Sequence, residues 1–543
     1  MDTRSEKTRR WIFILIPFFI ATLVMLPRLI SPQFGFLDDA PMLTQSEEFH
    51  RGNFIIENDQ QAGRFRPMYW LYYAGIFGLA KHNPFWFFMG NLILFLILLL
   101  ELRVVMKQMT FGEGQILFTS ILFIFTMPII ENFYTLGKGE PLQLVFLMLA
   151  IILMGCIRNN ANILRDILLG LASAIVILLA TFVKETSLVF LPITILWCLY
   201  TLFSKDEKIR SYRKACLIIA SSALVAFATY FILHQSFGAT NLLGGTYTDR
   251  YQFNFTGLMQ QFLRWMTLYG YYFSFLIPAG IALVVLLLTK KGIDPSESFR
   301  LFQWLSWLLG WFLILLPWQY AEVYYLLPFS IGVSLFLGIS ISPLLKASKK
   351  RVKWVTIPLI VLSFGLYFSL LPNFYTNARI QLAFDRANQE MLLFVRDAIP
   401  DKGKLYINID QSNEYVENVA RFLKSVYGRE DISVNYVDTE TLEGLSRSHG
   451  NLLVIPHITN QPRLTVRAGV EEEFTSLWNE NVTNQVGDDL SLIREFETHF
   501  QLLNVNLLNL SCPGIGPIGF CEDPDPIIDT RPFIYAWEVY IIQ

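Results

Sequence analysis

The chain has 543 residues, of which 53% are apolar and only 16% are charged. Soluble domains average roughly 25% charged residues, so these values exclude a purely soluble protein, a disordered chain and a collagen-like or coiled-coil fibre. The net charge of −2 and the scattered basic residues argue against binding to nucleic acid. The composition predicts an α-helical polytopic membrane protein with a smaller soluble part.

Charge divides the chain into two parts. Residues 1–371 hold 30 Lys and Arg against 20 Asp and Glu, a net charge of +10. Residues 372–543 hold 13 against 25, a net charge of −12. The two parts therefore face different environments, and we predict a transmembrane domain over 1–371 and an external domain over 372–543.

Apolar runs in the first part predict eleven membrane spans, because a helix needs about 20 mainly apolar residues to cross a bilayer. The spans are predicted at 11–30, 85–102, 115–130, 141–157, 164–181, 186–203, 214–233, 267–289, 301–317, 321–341 and 354–371. The first run is too long and too apolar for a cleaved signal peptide. The apolar stretch 68–80 is too short to span, and we interpret it as a surface helix within a large external loop over 31–84.

Basic residues on short loops set the orientation of such a protein. With the N-terminus inside, 21 of the 30 basic residues of the first part fall on inside segments. This bias predicts a plasma-membrane protein with a cytoplasmic N-terminus and an extracellular or periplasmic C-terminal domain. In that oxidising space, Cys512 and Cys521, which share one Pro/Gly-rich loop, are candidates for a disulfide.

The acidic tail alternates strand and helix patterns. Residues 376–398 are typical of a helix that leaves the last span. Strands are predicted at 404–410, 432–438 and 451–457, with a helix at 415–428. This order predicts an α/β domain with an open sheet.

The first candidate for chemistry is the pair Asp38-Asp39, just beyond the outer end of the first span. Two adjacent carboxylates repel each other and raise the pKa of one of them. That property suits a general base or a cation ligand. The alternative interpretation is a helix N-cap before Pro41 without a further role.

Two further candidate groups lie on other external segments. Arg66 begins the surface helix, where a guanidinium could bind phosphate or reach towards lipid head groups. Lys138 and Glu140 lie in the turn TLGKGEP, between the third and fourth spans. Glycines on both sides permit close approach of a ligand, although an ordinary turn would have the same composition.

The last candidates lie close to apolar spans. Lys184 and Glu185 occupy a loop of only a few residues, where charges are costly and indicate function unless they pair with each other. Glu322 follows at the outer end of the tenth span. All these candidates fall on the predicted outer face, an arrangement typical of chemistry on a lipid-linked phosphate.

The order of these motifs resembles the GT-C polytopic glycosyltransferases, the group that contains protein O-mannosyltransferases and related polyprenyl-phosphate-sugar enzymes. The matching features, in chain order, are Asp38-Asp39 in the first external loop, Arg66-Pro67, Asn91, Pro128 with Glu131, Lys184-Glu185 before Pro192, and the segment AEVYYLLP. The resemblance covers residues 11–340. It departs from the family at Val323, where an arginine is expected, and in the tail, which has no TPR pattern and is closer to the external domains of prokaryotic members.

The resemblance implies inverting transfer of a sugar from a polyprenyl-phosphate donor to a protein, lipid or glycan acceptor at the outer membrane face. Asp38 would act as the base, with Asp39 beside it. Arg66, Lys138 and Lys184 would contact the lipid phosphate, near Glu140, Glu185 and Glu322. No cofactor is required, no metal ligand set is recognised, and a divalent cation is compatible with the pattern.

Two alternatives of other classes stay open. A lipid or polysaccharide flippase would carry charges near the middle of its spans, whereas most charges here lie at span ends. A non-catalytic membrane scaffold would bind a partner through its tail and would tolerate changes at Asp38.

Overall fold

A computed structural model gives the fold of most of the chain. The residues it describes are 3–35, 38–53, 59, 63–157, 162–236, 251, 253–273, 294–318, 322–346, 350–408, 413–437, 451–459, 490–501, 503–505 and 528–542. The structure confirms the predicted fold class, a helical membrane domain followed by a C-terminal α/β domain.

The described residues of the first part of the chain are mainly helical, and each predicted span overlaps a helix, although only in part at 267–289 and 321–341. They are α1 (Thr3–Ile30), α2 (Asp39–His50), α3 (Pro67–Ala80), α4 (Pro84–Gln108), α5 (Glu113–Ile124), α6 (Met127–Tyr134), α7 (Glu140–Gly155), α8 (Ile163–Val183), α9 (Phe190–Phe203), α10 (Glu207–Arg210), α11 (Arg213–Ser236), α12 (Phe255–Phe273), α13 (Pro295–Leu313) and α14 (Leu327–Lys346). The 3₁₀ turns Glu185–Val189 and Val323–Leu326 precede α9 and α14.

Within the described ranges, six segments are long and apolar enough to cross a bilayer, and a bent pair would make seven. The pair is α5 and α6, which meet at 64° inside the predicted span 115–130. Pro128, at the start of α6, has no N–H to continue the hydrogen bonds of α5. The count of eleven stays a prediction, since much of 267–289 lies outside the described residues.

Local sequence signals explain where several helices begin. The side chains of Asn83, Asn162 and Asp294 each accept a hydrogen bond from a backbone N–H in the first turn of α4, α8 and α13. Such caps replace hydrogen bonds that the first turn of a helix cannot make within itself. The stretch predicted to form a surface helix is helical, as α3, and is not among the candidate spans. Its position at the outer surface of the membrane stays a prediction. Its buried side chains are mostly aromatic, including Tyr69, Trp70 and Tyr73.

A single helix, α15 (Lys350–Ala398), joins the two parts of the protein. It runs without interruption through residue 371, the predicted domain boundary. The sheet that follows contains β1 (Lys404–Asn408), β2 (Ser433–Val437), β3 (Leu452–Thr459), β4 (Leu490–Gln501) and β7 (Pro532–Ile542) in the order β2-β1-β3-β7-β4. β1 is parallel to β2 and β3, whereas β7 is antiparallel to β3 and β4. Helix α16 (Asn413–Ser425) lies between β1 and β2, and β5 (Asn504–Val505) pairs with β6 (Ile528–Asp529).

Side chains of α15 and α16 fix the sheet domain to the membrane part. The Asn388 Oδ1 atom accepts hydrogen bonds from the Tyr535 hydroxyl at 2.6 Å and the Trp537 indole at 2.8 Å, both on β7. The Phe422 ring of α16 lies 6.3 Å from the Phe34 ring, just before α2. The C-terminal domain therefore packs against the segment predicted to be the first external loop, just before the acidic pair.

Candidate active site

Asp38 lies immediately before α2 and is half exposed, with 47% of its side chain accessible. Its carboxylate accepts a hydrogen bond from the Lys138 ammonium at 2.5 Å. The turn that carries Lys138 needs a glycine beside it, because Gly137 has a φ of +73°. A Cβ atom at Gly137 would lie 2.6 Å from the Cβ atom of Asp38. The glycine therefore permits close approach of the Asp38 side chain, and the predicted approach of a ligand stays a prediction.

Lys138 and Lys184 meet at a pair of tyrosines. The Lys138 ammonium lies 4.0 Å from the centre of the Tyr324 ring. The Lys184 ammonium lies 5.2 Å from that ring and 4.4 Å from the Tyr325 ring. Asn132 donates a hydrogen bond to the Tyr324 carbonyl oxygen at 3.0 Å, which fixes the tyrosine pair against α6. The structure thus brings together two of the three predicted phosphate-binding cations.

The two lysines have different electrostatic environments. Burial lowers the pKa of Lys138, but the carboxylates of Asp38 and Glu131 more than offset this, so its pKa is raised. Burial outweighs the opposing effect of Glu140 at Lys184, whose pKa is lowered. Glu140 is 2% exposed, binds the Lys184 ammonium through Oε1, and has no hydrogen-bond partner at Oε2 within the described chain.

Arg66 is connected to the same turn through aromatic side chains. Its guanidinium binds Asp59 through two hydrogen bonds, of 3.2 Å from Nε and 2.5 Å from Nη2. It also lies 4.7 Å from the centre of the Tyr69 ring, and the Tyr69 hydroxyl donates to the Gly137 carbonyl oxygen at 2.8 Å. Burial acts to lower the pKa of Arg66, but Asp59 more than offsets it, so the pKa is raised. Arg66 is therefore near the lysines with part of its donor set engaged by Asp59.

Glu185 and Glu322 each stand at the start of a 3₁₀ turn beside the lysines and tyrosines. Glu185 lies close enough to Arg66 to help raise its pKa, and its Oε1 atom is buried without a hydrogen-bond partner among the described residues. The backbone oxygen of Glu322 accepts a hydrogen bond from Tyr325 at 3.2 Å. Val323 is buried and apolar, 1% exposed, at the position where the resemblance leads one to expect an arginine.

The Asp39 carboxylate has a different environment from that of Asp38. It is 2% exposed, and its Oδ2 atom accepts a hydrogen bond from the Gly35 backbone at 2.6 Å. Burial raises the pKa of Asp39 to about 7, and the Asp385 carboxylate adds to this shift. Asp39 therefore holds the loop before α2 rather than facing the cations.

A pH dependence of stability follows from the raised pKa of Asp39. Below about pH 4 the carboxyl is protonated in both folded and unfolded chains, and it imposes no charge on the buried site. As pH rises towards about 7, folding must either keep the proton or bury the charge, so stability is lost across this window. The melting temperature of Asp39→Asn minus that of the parent protein should increase from pH 5 to pH 8. A difference that did not change with pH would contradict the raised pKa of Asp39.

The sequence analysis missed several residues of the site. Tyr324 and Tyr325 were quoted within AEVYYLLP without a function, yet they are the surface on which the lysines meet. Asp59 has no local signal in its loop. Arg28 was a recognisable signal, because a charge inside an apolar span is unusual; it forms a buried ion pair with Asp385.

Asn91 has a structural function in this part of the molecule. Its side-chain amide donates to the backbone oxygens of Phe133 at 3.1 Å and Thr135 at 3.0 Å. These bonds bind carbonyl groups at the end of α6 that the helix leaves unpaired. Asn91 thereby supports the chain that continues into the Gly137–Lys138 turn.

Two further expectations concern a disulfide and the binding of a metal ion. Cys512 and Cys521 lie outside the described residues, so the proposed disulfide stays a prediction. Across the described ranges, no group of three or more His, Cys, Asp or Glu side chains is placed to hold a metal ion.

No protein-family model matches the chain, and no curated protein matches it. Several solved structures are similar in fold. ArnT from Cupriavidus metallidurans bound to undecaprenyl phosphate is 10% identical, with 96% of this chain and 97% of that chain covered at a TM-score of 0.46. The Archaeoglobus fulgidus oligosaccharyltransferase tethered with an acceptor peptide is 12% identical over 75% of this chain, with a TM-score of 0.44, and the chain spans 63% of its length.

The arabinofuranosyltransferase AftD from Mycobacteria is 13% identical over 98% of this chain and 40% of its own length, with a TM-score of 0.44. The similarities are too low to carry a substrate or an acceptor over to this chain.

Proposed function

We propose that the protein is a membrane glycosyltransferase that moves a sugar from a polyprenyl-phosphate donor to an acceptor hydroxyl, with inversion at the anomeric carbon. The observation that supports this most directly is the half-exposed carboxylate of Asp38 beside two largely buried ammonium groups that share one tyrosine. Burying ammonium groups is costly, and sites that do so near a membrane are functional by default.

The proposed step divides between the carboxylate and the cations. Asp38 takes the proton of the acceptor hydroxyl while its oxygen attacks C1 of the sugar. The bond between C1 and the phosphate oxygen breaks, and the lipid phosphate leaves with the electron pair. Lys138 and Lys184 stabilise the charge on that phosphate. The donor phosphate competes with Asp38 for the Lys138 ammonium. This competition frees the Asp38 carboxylate to act on the acceptor.

The transfer involves no redox change, so we propose that no organic cofactor is needed, and a divalent cation is compatible with the acidic pair. The acceptor is a protein, lipid or glycan hydroxyl. The contact between Phe422 of the C-terminal domain and Phe34 supports a contribution of that domain to acceptor binding.

The binding of lipid phosphate tests the proposal through Lys138. Lys138→Gln removes one charged hydrogen bond to phosphate, which contributes about 1.5–3 kcal/mol, so affinity for undecaprenyl or dolichyl phosphate should fall about 10- to 100-fold. Asp38 remains half exposed and can be hydrated, so the fold should persist. Lys107→Gln is the matched control. Lys107 also forms an ion pair, with Glu113, but it lies at the C-terminal end of α4, which is predicted to face the cytoplasm. Unchanged affinity in Lys138→Gln would contradict the proposed phosphate site.

We also propose that the N-terminus is cytoplasmic and that the C-terminal domain is extracellular or periplasmic, in the plasma membrane. Single cysteines at two exposed positions, Glu430 and Lys205, test this in a chain whose native cysteines have been replaced. A membrane-impermeant maleimide should label Glu430→Cys in intact cells and Lys205→Cys only after permeabilisation. The reverse pattern would overturn the orientation.

A further inference from the structure

A large cavity lies far from the candidate active site, in a groove between α8 and α11. Its volume is about 810 Å³, within the range of about 300–1,000 Å³ typical of sites for small molecules and cofactors. The helices come close at its floor, where the Ser222 hydroxyl donates to the Gly170 carbonyl oxygen at 2.8 Å. A Cβ atom at Gly170 would meet Ile218 at 3.2 Å. The glycine therefore permits the close approach that forms the groove.

The walls of the groove face the bilayer. Both helices are candidate membrane spans. The apolar lining side chains are strongly exposed, with Ile163 at 76%, Leu171 at 56% and Val225 at 56%. In a membrane these surfaces contact lipid, so an acyl chain is the natural occupant of the apolar part.

One end of the groove is basic. Arg210, Arg213 and Lys214 line it, together with a single carboxylate, Asp166. Lys214 binds that carboxylate. In the described part of the chain, Arg210 and Arg213 form no ion pair. The Arg213 Nη2 atom donates a hydrogen bond to the Leu202 carbonyl oxygen at 3.2 Å, and its buried Nε atom has no hydrogen-bond partner. The Arg210 guanidinium and the remaining donors of Arg213 are therefore available to an anion, and the planar guanidinium suits phosphate.

The basic end lies on the other side of the membrane from the candidate active site. Helix α8 begins at Ile163, beside this end, and ends at Val183, next to Lys184. Its 21 residues extend about 30 Å, the thickness of the hydrocarbon core. The groove is therefore a separate site from that of the proposed sugar transfer.

We infer that this groove is a binding site for one anionic phospholipid of the leaflet opposite the candidate active site. Its phosphodiester group binds Arg210 and Arg213, and an acyl chain lies along the apolar wall between α8 and α11. Basic pockets between transmembrane helices are known to hold anionic head groups. The basic end of this groove, its volume and its exposed apolar wall all favour an anionic phospholipid as the occupant.

Native mass spectrometry of the full chain in detergent, titrated with phosphatidylglycerol or phosphatidylcholine, tests the inference. One phosphatidylglycerol should be retained per chain, at least about tenfold more tightly than phosphatidylcholine. Arg210→Gln with Arg213→Gln should remove that preference. Lys205→Gln is the matched control, since it removes an exposed charge from the same loop outside the groove.

A second variant tests the apolar wall without changing charge. Ala174→Trp places an indole in the groove and should displace the lipid, whereas Leu168→Trp, on an exposed part of α8 outside the groove, should not. Equal retention of both phospholipids would overturn the inference and indicate ordinary annular lipid. Undiminished phosphatidylglycerol binding in Ala174→Trp, or preferential retention of undecaprenyl phosphate, would overturn it as well.

Discussion

Asp38→Asn is expected to reduce sugar transfer by about 10²–10⁴-fold, the usual contribution of a positioned general base. An acceptor hydroxyl is a poor nucleophile until its proton is removed during attack, and the amide of asparagine cannot take that proton. The carboxylate is placed for this function, because it is half exposed and touches Lys138, one of the two cations that share the Tyr324 ring.

Donor binding should respond differently from turnover. In Asp38→Asn, Lys138 loses its carboxylate partner and is free for phosphate, so affinity for undecaprenyl or dolichyl phosphate should be unchanged or tighter. A variant that lost both activity and lipid binding would indicate a structural function for Asp38 instead.

Asp39→Asn is the matched control for this experiment. The Asp39 carboxylate is buried and accepts a hydrogen bond from the Gly35 backbone, a bond that the oxygen of asparagine can also accept. Transfer should therefore be impaired far less. If Asp38→Asn kept near-normal turnover with a defined donor, the transferase proposal would weaken sharply. If only Asp39→Asn were inactive, the functions of the two residues would be exchanged.

The sequence predicted the helices well because apolar length is a direct physical requirement of the bilayer. The span predicted at 164–181 is present as α8 (Ile163–Val183), and the strands predicted at 404–410 and 451–457 are present as β1 and β3. The break between α5 and α6 was not predicted, because the mainly apolar run of residues 121–130 continues across it. The only local signal was Pro128.

Several charged members of the candidate site could be predicted from the sequence, but their pairings could not. Asp38, Lys138 and Lys184 carry local signals, since each is a charge beside an apolar span. Their partners are chosen by the packing of helices that are distant in sequence; Lys138 and Asp38 are separated by 100 positions. Asp59 binds Arg66 from within a loop without periodicity, so nothing in its neighbourhood marks it.

The contact between Arg28 and Asp385 illustrates the same limit, and it leads to the second large expected effect. Both side chains are fully buried, and the Arg28 guanidinium lies 4.1 Å from the centre of the Phe88 ring. Asp385 also accepts hydrogen bonds of 3.1 and 3.3 Å from Gln381. The pair connects α1 to α15, and both charges influence the pKa of Asp39. It therefore links the first helix, the loop of the acidic pair and the helix that carries the C-terminal domain.

Arg28→Met is expected to destabilise the protein by about 3–5 kcal/mol, because removing one member of a buried ion pair leaves the other charge without compensation. Asp385 would then face Asp39 with no cation between them. The double variant Arg28→Met with Asp385→Leu should recover most of the loss, since replacing a whole buried pair by apolar side chains is often nearly neutral. Melting temperatures of the two single variants and the double variant, in one detergent, measure this coupling.

The matched control is Arg51→Met, at the exposed ion pair of Arg51 and Glu47. It should leave the melting temperature almost unchanged, because surface ion pairs contribute only about 0–1 kcal/mol. If the double variant were as unstable as the sum of the single variants, Arg28 and Asp385 would act independently. The buried pair would then not be what holds α1 to α15. Recovery of stability without recovery of sugar transfer would instead show that the charges, and not only the packing, position the loop of Asp38.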